Sequence, residues 1–491
     1  MESKLFTAEQ IKEIDRLTIE KQGISSLDLM ERAVQNLLPG IINHLKPFQY
    51  VTIVAGVGNN GGDGLALARM LYERNFPVKV VVVPFSTKHT PEFAANLERV
   101  EDLGIEVSFD PLEAPLQGTL VDAIFGVGLN RPVKGVAART IERINASGLN
   151  VLSIDIPSGL YADRNNEPGD IIVRATEVFT FQFPKISFFF DENIAYVPHW
   201  QTVDIGLDEE VIRQMPTQWY FLKSCDKIFY RRPPEADKTY FGHAVLMGGS
   251  ALKSGAIRFA AQAAYRMGPG WTSAYVPRAT ATALRIATPE IMLRIDQAED
   301  HLLHFPPPKA HEAYGVGPGM GTAEETCNAL ADWLARQSKP VVIDADALNC
   351  LARHPEALKK LPPQSILTPH RREWERLGGK QATTFERIQA AKKFSARYGV
   401  ILVLKAHYTA IIDGQNVYFN TTGNPALAKA GTGDVLTGII TGLLAQGHPP
   451  LRAAQAGAFI HGLLADRWVK DHADFALTPM DLINQIALLK L

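Results

Sequence analysis

The chain is poor in cysteine: three in 491 residues, Cys225, Cys327 and Cys350. An odd number at such wide spacing fits neither a disulfide framework nor a zinc cluster, and it points to a reducing cytoplasm. An excess of either charge is also missing. Lys and Arg total 50 against 52 Asp and Glu, for a formal net charge of −2 and a pI near 6.7. No basic field exists to gather nucleic acid or an anionic membrane surface. Long apolar runs are absent too, since "VKVVVVPF" falls well short of the roughly 20 residues that cross a bilayer. The charged opening "MESKLFTAEQIKEIDRLTIEKQG" has no signal-peptide core. Together these absences exclude a disulfide-stapled domain, a membrane span and a polyanion binder.

What is present is ordinary globular material, 46% hydrophobic and 21% charged, in a chain too long for one core. Thr7 and Gln10 have capping-box spacing ahead of Ile11, Ile14 and Leu17, which predicts an opening helix that stops at Gly23. From Tyr50 to about Gly206, short β-branched runs alternate with glycine or proline turns and helical spacing. The strands read as "VTIVAG", "VKVVVV", "TLVDAIFG", "VLSIDIPSG" and "EVFTF". The cycle lapses near residues 215–230, and Arg231, Arg232, Pro233 and Pro234 read as an extended connector. It resumes with "AVLMGG", "AYGVG", "VVIDAD", "SILTP", "VILVLK" and "VYFN". Two α/β domains follow, 1–220 and 221–491, each with a mainly parallel sheet covered by helices.

Two constellations carry chemistry. In "AGVGNNGGDGLALARML", Gly56, Gly58 and Gly61 form a Gly-x-Gly-x-x-Gly between a strand and a helix expected from about Gly64. A dinucleotide fold wants an acid at the end of the next strand, and "VVVPFS" has none. The glycines alone fit a tight turn equally well. Asn59, Asn60 and Asp63 add oxygen ligands and donors that a turn does not need. Asp122 before "AIFGVGLNRP", and Asp155 with Ser158 in "DIPSG", stand at strand ends that share one crevice in an open parallel sheet. In "AGTGDVLTGIITGLL", Gly431, Gly433 and Asp434 precede Val435, Ile439, Ile440 and Leu443, so a helix starts there with free amides. An isolated Asp at such a start is usually a cap. Paired with glycine amides, Asp434 could instead take a proton from a hydroxyl attacking a phosphoryl group. Lys405 and Thr409 suit phosphate contacts, and His370 lies in another strand-to-helix turn.

"VGNNGGDG", "VDAIFGVGLNRPVKG" and "IDIPSGLYAD" resemble the NAD(P)HX epimerase family, the YjeF N-terminal domain, with a Rossmann-like three-layer α/β/α fold. The resemblance implies interconversion of the R and S forms of hydrated NADH or NADPH (NADHX, NADPHX). It places Asn59, Asn60, Gly61, Gly62 and Asp63, and Gly126, Val127, Gly128, Leu129, Asn130, Arg131 and Pro132, on the substrate. Asn60, Asp122 and Ser158 would surround a potassium ion, and Asp155 would lie at the reacting ring. "GHAVLMGGS", "YGVGPGMG", "VVIDADALN", "LTPH" and "AGTGDVLTG" resemble the ribokinase-like NAD(P)HX dehydratases. Here the resemblance puts Ala256, Gly319, His370 and Asp434 on the hydrated cofactor. Lys405, Ala406, His407, Tyr408 and Thr409, with Gly433, would hold ADP, and Mg2+ is expected. Arg371, Arg372, Ala406, Ala426 and Ala430 stand where that family commonly has Pro or Gly. A methyl group there costs about 1–2 kcal/mol if the backbone must be left-handed. The implied whole is a cytoplasmic, homo-oligomeric repair enzyme. Its rivals are a small-molecule kinase fused to an epimerase-like binding domain, and a binding scaffold of the kind found in messenger-RNA decapping proteins.

Overall fold

A computed structural model describes residues 2–225, 228–229 and 231–489. The chain divides into two compact units at Trp219/Tyr220, the first three residues counting with the second unit. The boundary region expected from sequence reaches residues 226, 227 and 230, which lie outside the described residues.

The opening helix forms at Ala8–Gln22 with the Thr7/Gln10 capping box closed in both directions, and Gly23 ends it in the left-handed region at φ 65°. The first unit is built on seven parallel strands. Their order is Glu106–Ser108, Val78–Val82, Val51–Ala55, Thr119–Ala123, Val151–Ile154, Glu177–Phe181 and Trp200–Val203. Alternate residues of each strand feed opposite layers. Ile53, Ala55, Val121 and Ile154 join a core with the helices Ala8–Gln22, Ser26–Ile42 and Asn59–Tyr72, whereas Val54, Leu120 and Val151 pack against the helix Gly135–Ala146. The expected three-layer α/β/α arrangement is therefore present. Strand order reverses between Val51–Ala55 and Thr119–Ala123, and such a reversal opens a crevice at the carboxyl ends of the strands.

The glycine-rich helix begins earlier than its sequence suggested, at Asn59 rather than near Gly64. None of Gly56, Gly58, Gly61, Gly62 or Gly64 has positive φ. These glycines serve close approach instead: a Cβ on Gly61 would lie 1.8 Å from the Gly56 carbonyl oxygen, and one on Gly64 would lie 2.7 Å from the Ala123 side chain. Gly58 has open space around it. Gly61→Ala should therefore destabilise the N-terminal unit by about 3 kcal/mol through overpacking against backbone, while Gly58→Ala should be nearly neutral. Urea unfolding of the two variants checks the contrast.

The second unit holds an eleven-stranded sheet. Seven strands are parallel, in the order Met292–Ile295, Trp271–Val276, His243–Met247, Glu312–Val316, Val341–Ile343, Ile366–Leu367 and Ile401–Leu404. Ala410–Asp413 and Asn416–Phe419 follow antiparallel, and two short strands extend that edge. Order reverses between His243–Met247 and Glu312–Val316. The helix Thr432–Ala445 lies against Ser254–Arg266 so closely that a Cβ on Gly438 would sit 2.1 Å from the Ala260 carbonyl oxygen. That contact explains Gly438 and, beside Ala264, Gly442.

The cysteines correct the sequence reading. Cys327, on the helix Glu324–Leu334, and Cys350, on the helix Ala345–Arg353, form a disulfide. A spacing of 23 residues hid the pair because the strand Val341–Ile343 lies between the two helices. The cysteine count therefore carries no argument about compartment. No described helix is long and apolar enough to cross a membrane.

Candidate active sites

At the switch point of the first sheet lies a cavity of about 560 Å³. Asn59, Asn60 and Asp63 enter it from the start of their helix. Gly126, Val127, Gly128, Leu129, Asn130 and Arg131 line it from the loop after Thr119–Ala123, and Asp155 from the turn after Val151–Ile154. Gly61, Gly62 and Pro132 do not line it. The two glycines face protein: Gly61 abuts the Gly56 backbone, and a Cβ on Gly62 would meet Met30 at 2.9 Å.

Asp155 is held in the left-handed region, at φ 67°, where a carboxylate residue is tolerated better than most. Its N–H donates to the Phe179 carbonyl at 2.7 Å. Its carboxylate accepts from the Phe181 N–H at 3.1 Å and from Lys185 Nζ at 2.7 Å. Lys185 is buried and also donates to Thr180 Oγ1 and the Phe183 carbonyl, at 2.8 and 3.0 Å. The sequence reading missed this lysine. Its one signal was a cation inside the apolar run "FQFPKISFFF". Asp15 of the opening helix was missed as well. It lines the same cavity, and burial, followed by the charge of Asp155, pushes its carboxyl up to about 7. Burial also raises Asp63 well above the carboxylate range, with Asp155 and Asp15 adding to the effect.

Behind the cavity wall, Asp122 is buried with only neutral donors around it. Ser158 Oγ and N–H donate to it at 2.5 and 2.8 Å, and Ser153 Oγ at 2.9 Å. Burial raises its carboxyl and these hydrogen bonds offset only part of that. The Asn60 side chain is tied to the same spot by its bond to the Phe125 carbonyl at 3.0 Å. One buried carboxylate without a cationic partner, among neutral side-chain oxygens, is a donor set that fits a hard cation of low charge.

In the second unit a cavity of about 620 Å³ is lined by His370, Lys405, Ala406, His407, Thr409 and Gly433, with Asn424 and His461. Tyr408 is not in its wall; its ring packs edge-on against His407, 4.6 Å away. The glycine-led start of Thr432–Ala445 aims free amides here, and Gly431 at its cap has φ 96°. Lys405 Nζ donates to Asp344 at 2.9 Å, and Thr437 Oγ1 donates to the other oxygen of Asp344 at 2.7 Å. Burial works to raise the Asp344 carboxyl, but the charge of Lys405 and these hydrogen bonds hold it below the usual range. Asp434 has no hydrogen bond of this kind: burial, then the charge of Asp344, pushes it up to about 7 against the opposing charge of Lys405. Asp344, Glu373 and Asp434 all act on Lys405. That surplus of carboxylate charge fits a divalent cation brought in with phosphates.

His370 caps the helix Arg371–Gly378. Its Nδ1 accepts from the N–H groups of Arg372 and Glu373 at 3.1 and 3.3 Å, and Glu373 returns the bond to the His370 N–H at 2.9 Å. Ala256 and Gly319 lie outside this cavity. They face one another at the second switch point, where a Cβ on Gly319 would stand 3.0 Å from that of Ala256. Asp346 connects that loop to Asp434: it accepts from Lys253 Nζ at 3.0 Å and the Gly321 N–H at 2.9 Å, and its charge acts on Asp434. None of Arg371, Arg372, Ala406, Ala426 or Ala430 has positive φ, so the anticipated backbone strain does not arise.

A family model described as "YjeF-related protein N-terminus" matches residues 26–187, and one described as "NAD(P)H-hydrate dehydratase" matches residues 244–488. The "Bifunctional NAD(P)H-hydrate repair enzyme Nnr" of Coxiella burnetii is 34% identical over 99% of both chains. Its namesake in Moorella thermoacetica is 33% identical over 98% of this chain and 95% of that protein. Among solved structures, an ADP/ATP-dependent NAD(P)H-hydrate dehydratase from Bacillus subtilis, co-crystallised with ATP/Mg2+, is 28% identical. It has a TM-score of 0.47 and covers 54% of this chain and 96% of that one.

Proposed function

Because the chain belongs to the bifunctional NAD(P)H-hydrate repair enzymes, we propose that its first cavity interconverts the R and S hydrates and its second dehydrates the S form. ADP is consumed in the second step and becomes AMP and phosphate. The observation that carries the division is that each unit places an aspartate, Asp155 or Asp434, in or beside its own cavity at the carboxyl end of a parallel sheet.

In the second unit Asp434 takes the proton of the ring hydroxyl as that oxygen attacks the β-phosphorus of ADP, and AMP leaves. Lys405 and the amides at Gly433 take up the charge on the moving phosphoryl group. The C6–O bond of the phosphate ester then breaks as a proton leaves C5, and the reduced nicotinamide ring is restored. Mg2+, near Glu373 and Asp434, would neutralise phosphate charge. In the first unit Asn60, Asp122 and Ser158 would hold potassium, which would supply a fixed positive charge to the site. Asn59, Asp63 and the Gly126–Pro132 loop orient the hydrate over Asp155. A homo-oligomer in the cytoplasm completes this reading and rests on the family resemblance alone.

A mixture of R and S hydrates supplied with ADP and Mg2+ tests it through reduced-nicotinamide absorbance. Complete recovery is expected. Recovery of the S share alone removes the epimerase, and none leaves a kinase or a scaffold.

A further inference from the structure

Asp15 enters the epimerase cavity from the opening helix, a segment that none of the glycine-rich motifs includes. Its carboxyl forms neither a hydrogen bond nor an ion pair with any described residue, although it is largely enclosed. Asp155 differs in both respects: Lys185 and the Phe181 N–H occupy one of its oxygens. The cavity thus offers carboxyl groups of unlike character: Asp155 is paired with an ammonium group, whereas Asp15 and the more deeply buried Asp63 have no hydrogen-bond or ion-pair partner among the described residues. Inverting a hydroxyl-bearing carbon needs an acid for the departing oxygen and a base for the arriving one.

We propose that Asp15 is a second catalytic residue of the epimerase, the general acid that protonates the departing C6 hydroxyl; this rests on the epimerase reading above. The proton passes from Asp15 to the hydroxyl oxygen as the C6–O bond breaks, and the ring-nitrogen lone pair forms a C6=N bond. The water so released, or another, adds to the opposite face of C6, and the π electrons return to nitrogen. Its surplus proton goes to Asp155, and exchange with solvent returns a proton to Asp15. No oxidant or second substrate is needed.

Burial and the neighbouring charge of Asp155 favour the protonated form of Asp15 up to about pH 7, while Lys185 opposes them. Lys12 on the same helix, Asp63, Arg131 and Asp155 also line the cavity, and Glu92 acts on Asp63. An acid must carry its proton, so the epimerisation kcat should fall as pH rises through about 7.

The test is Asp15→Asn in the full-length chain. We expect kcat for epimerisation to drop at least about 100-fold, as general acids commonly contribute, with KM little changed and the alkaline fall in kcat gone. Asp15→Glu should recover part of the rate and the fall. Dehydration of pure S hydrate, assigned to the other unit, should be unaltered, and urea unfolding of the N-terminal unit serves as the folding control. An Asn variant that keeps its rate, or that slows but retains the alkaline fall, overturns the proposal. Wild-type protein unable to epimerise at any pH would instead overturn the underlying reading.

Discussion

Asp434→Asn should abolish dehydration of the S hydrate, by at least about 1,000-fold in kcat, while R and S continue to interconvert. The size follows from the loss of a general base whose alternatives are all engaged. Asp344 is bound to Lys405 and Thr437, and Glu373 to the backbone of His370. The wild-type enzyme supplies an independent check. A base must be deprotonated, and burial raises this carboxyl to about 7, so dehydration should increase with pH through that value. Stability runs the other way. The folded carboxyl holds its proton more tightly than the unfolded one, so folding loses stability as pH climbs from the ordinary carboxylate range through about 7. The Asn variant lacks this loss. It should unfold no more readily than wild type at neutral pH, and more stable, dehydration-dead protein would separate the chemistry from folding.

What could be read from sequence was local. Thr7, Gln10 and Gly23 bounded a helix because capping chemistry needs only neighbours in the chain. Asp155 and Asp434 stood out because each sits in a turn whose composition departs from simple turning. Asp15, Lys185 and Glu373 did not, since each acquires its meaning from a partner on another element. Lys185 was hidden among phenylalanines, and Asp15 stands among the other charged residues of the opening helix, Glu13 and Arg16. Glycine misled differently. The run from Gly56 to Gly64 suggested a loop, yet the backbone is helical from Asn59, and what Gly61, Gly62 and Gly64 permit is close packing of that helix against the Gly56 backbone, Met30 and Ala123. The disulfide between Cys327 and Cys350 was missed for the same reason as Lys185: the pairing lies in the topology.

The second large effect concerns the Asp155–Lys185 pair, where catalysis and folding are joined. Asp155→Asn should remove epimerisation and leave dehydration of pure S hydrate intact. It should also cost the N-terminal unit about 3–5 kcal/mol, because removing one partner strands a buried ammonium ion. Lys185 is 1% exposed, and its remaining bonds, to Thr180 Oγ1 and the Phe181 and Phe183 carbonyls, carry no compensating charge. The double variant Asp155→Asn, Lys185→Met distinguishes the two roles. Replacing the lysine with an apolar chain of similar length removes the stranded charge, so much of the stability returns, less the bonds lost by Thr180 and Phe183. Epimerisation should not return with it. If the double variant regained both, Asp155 would act only by holding Lys185 in the fold. Urea unfolding, with R-hydrate consumption followed in parallel, decides between these outcomes.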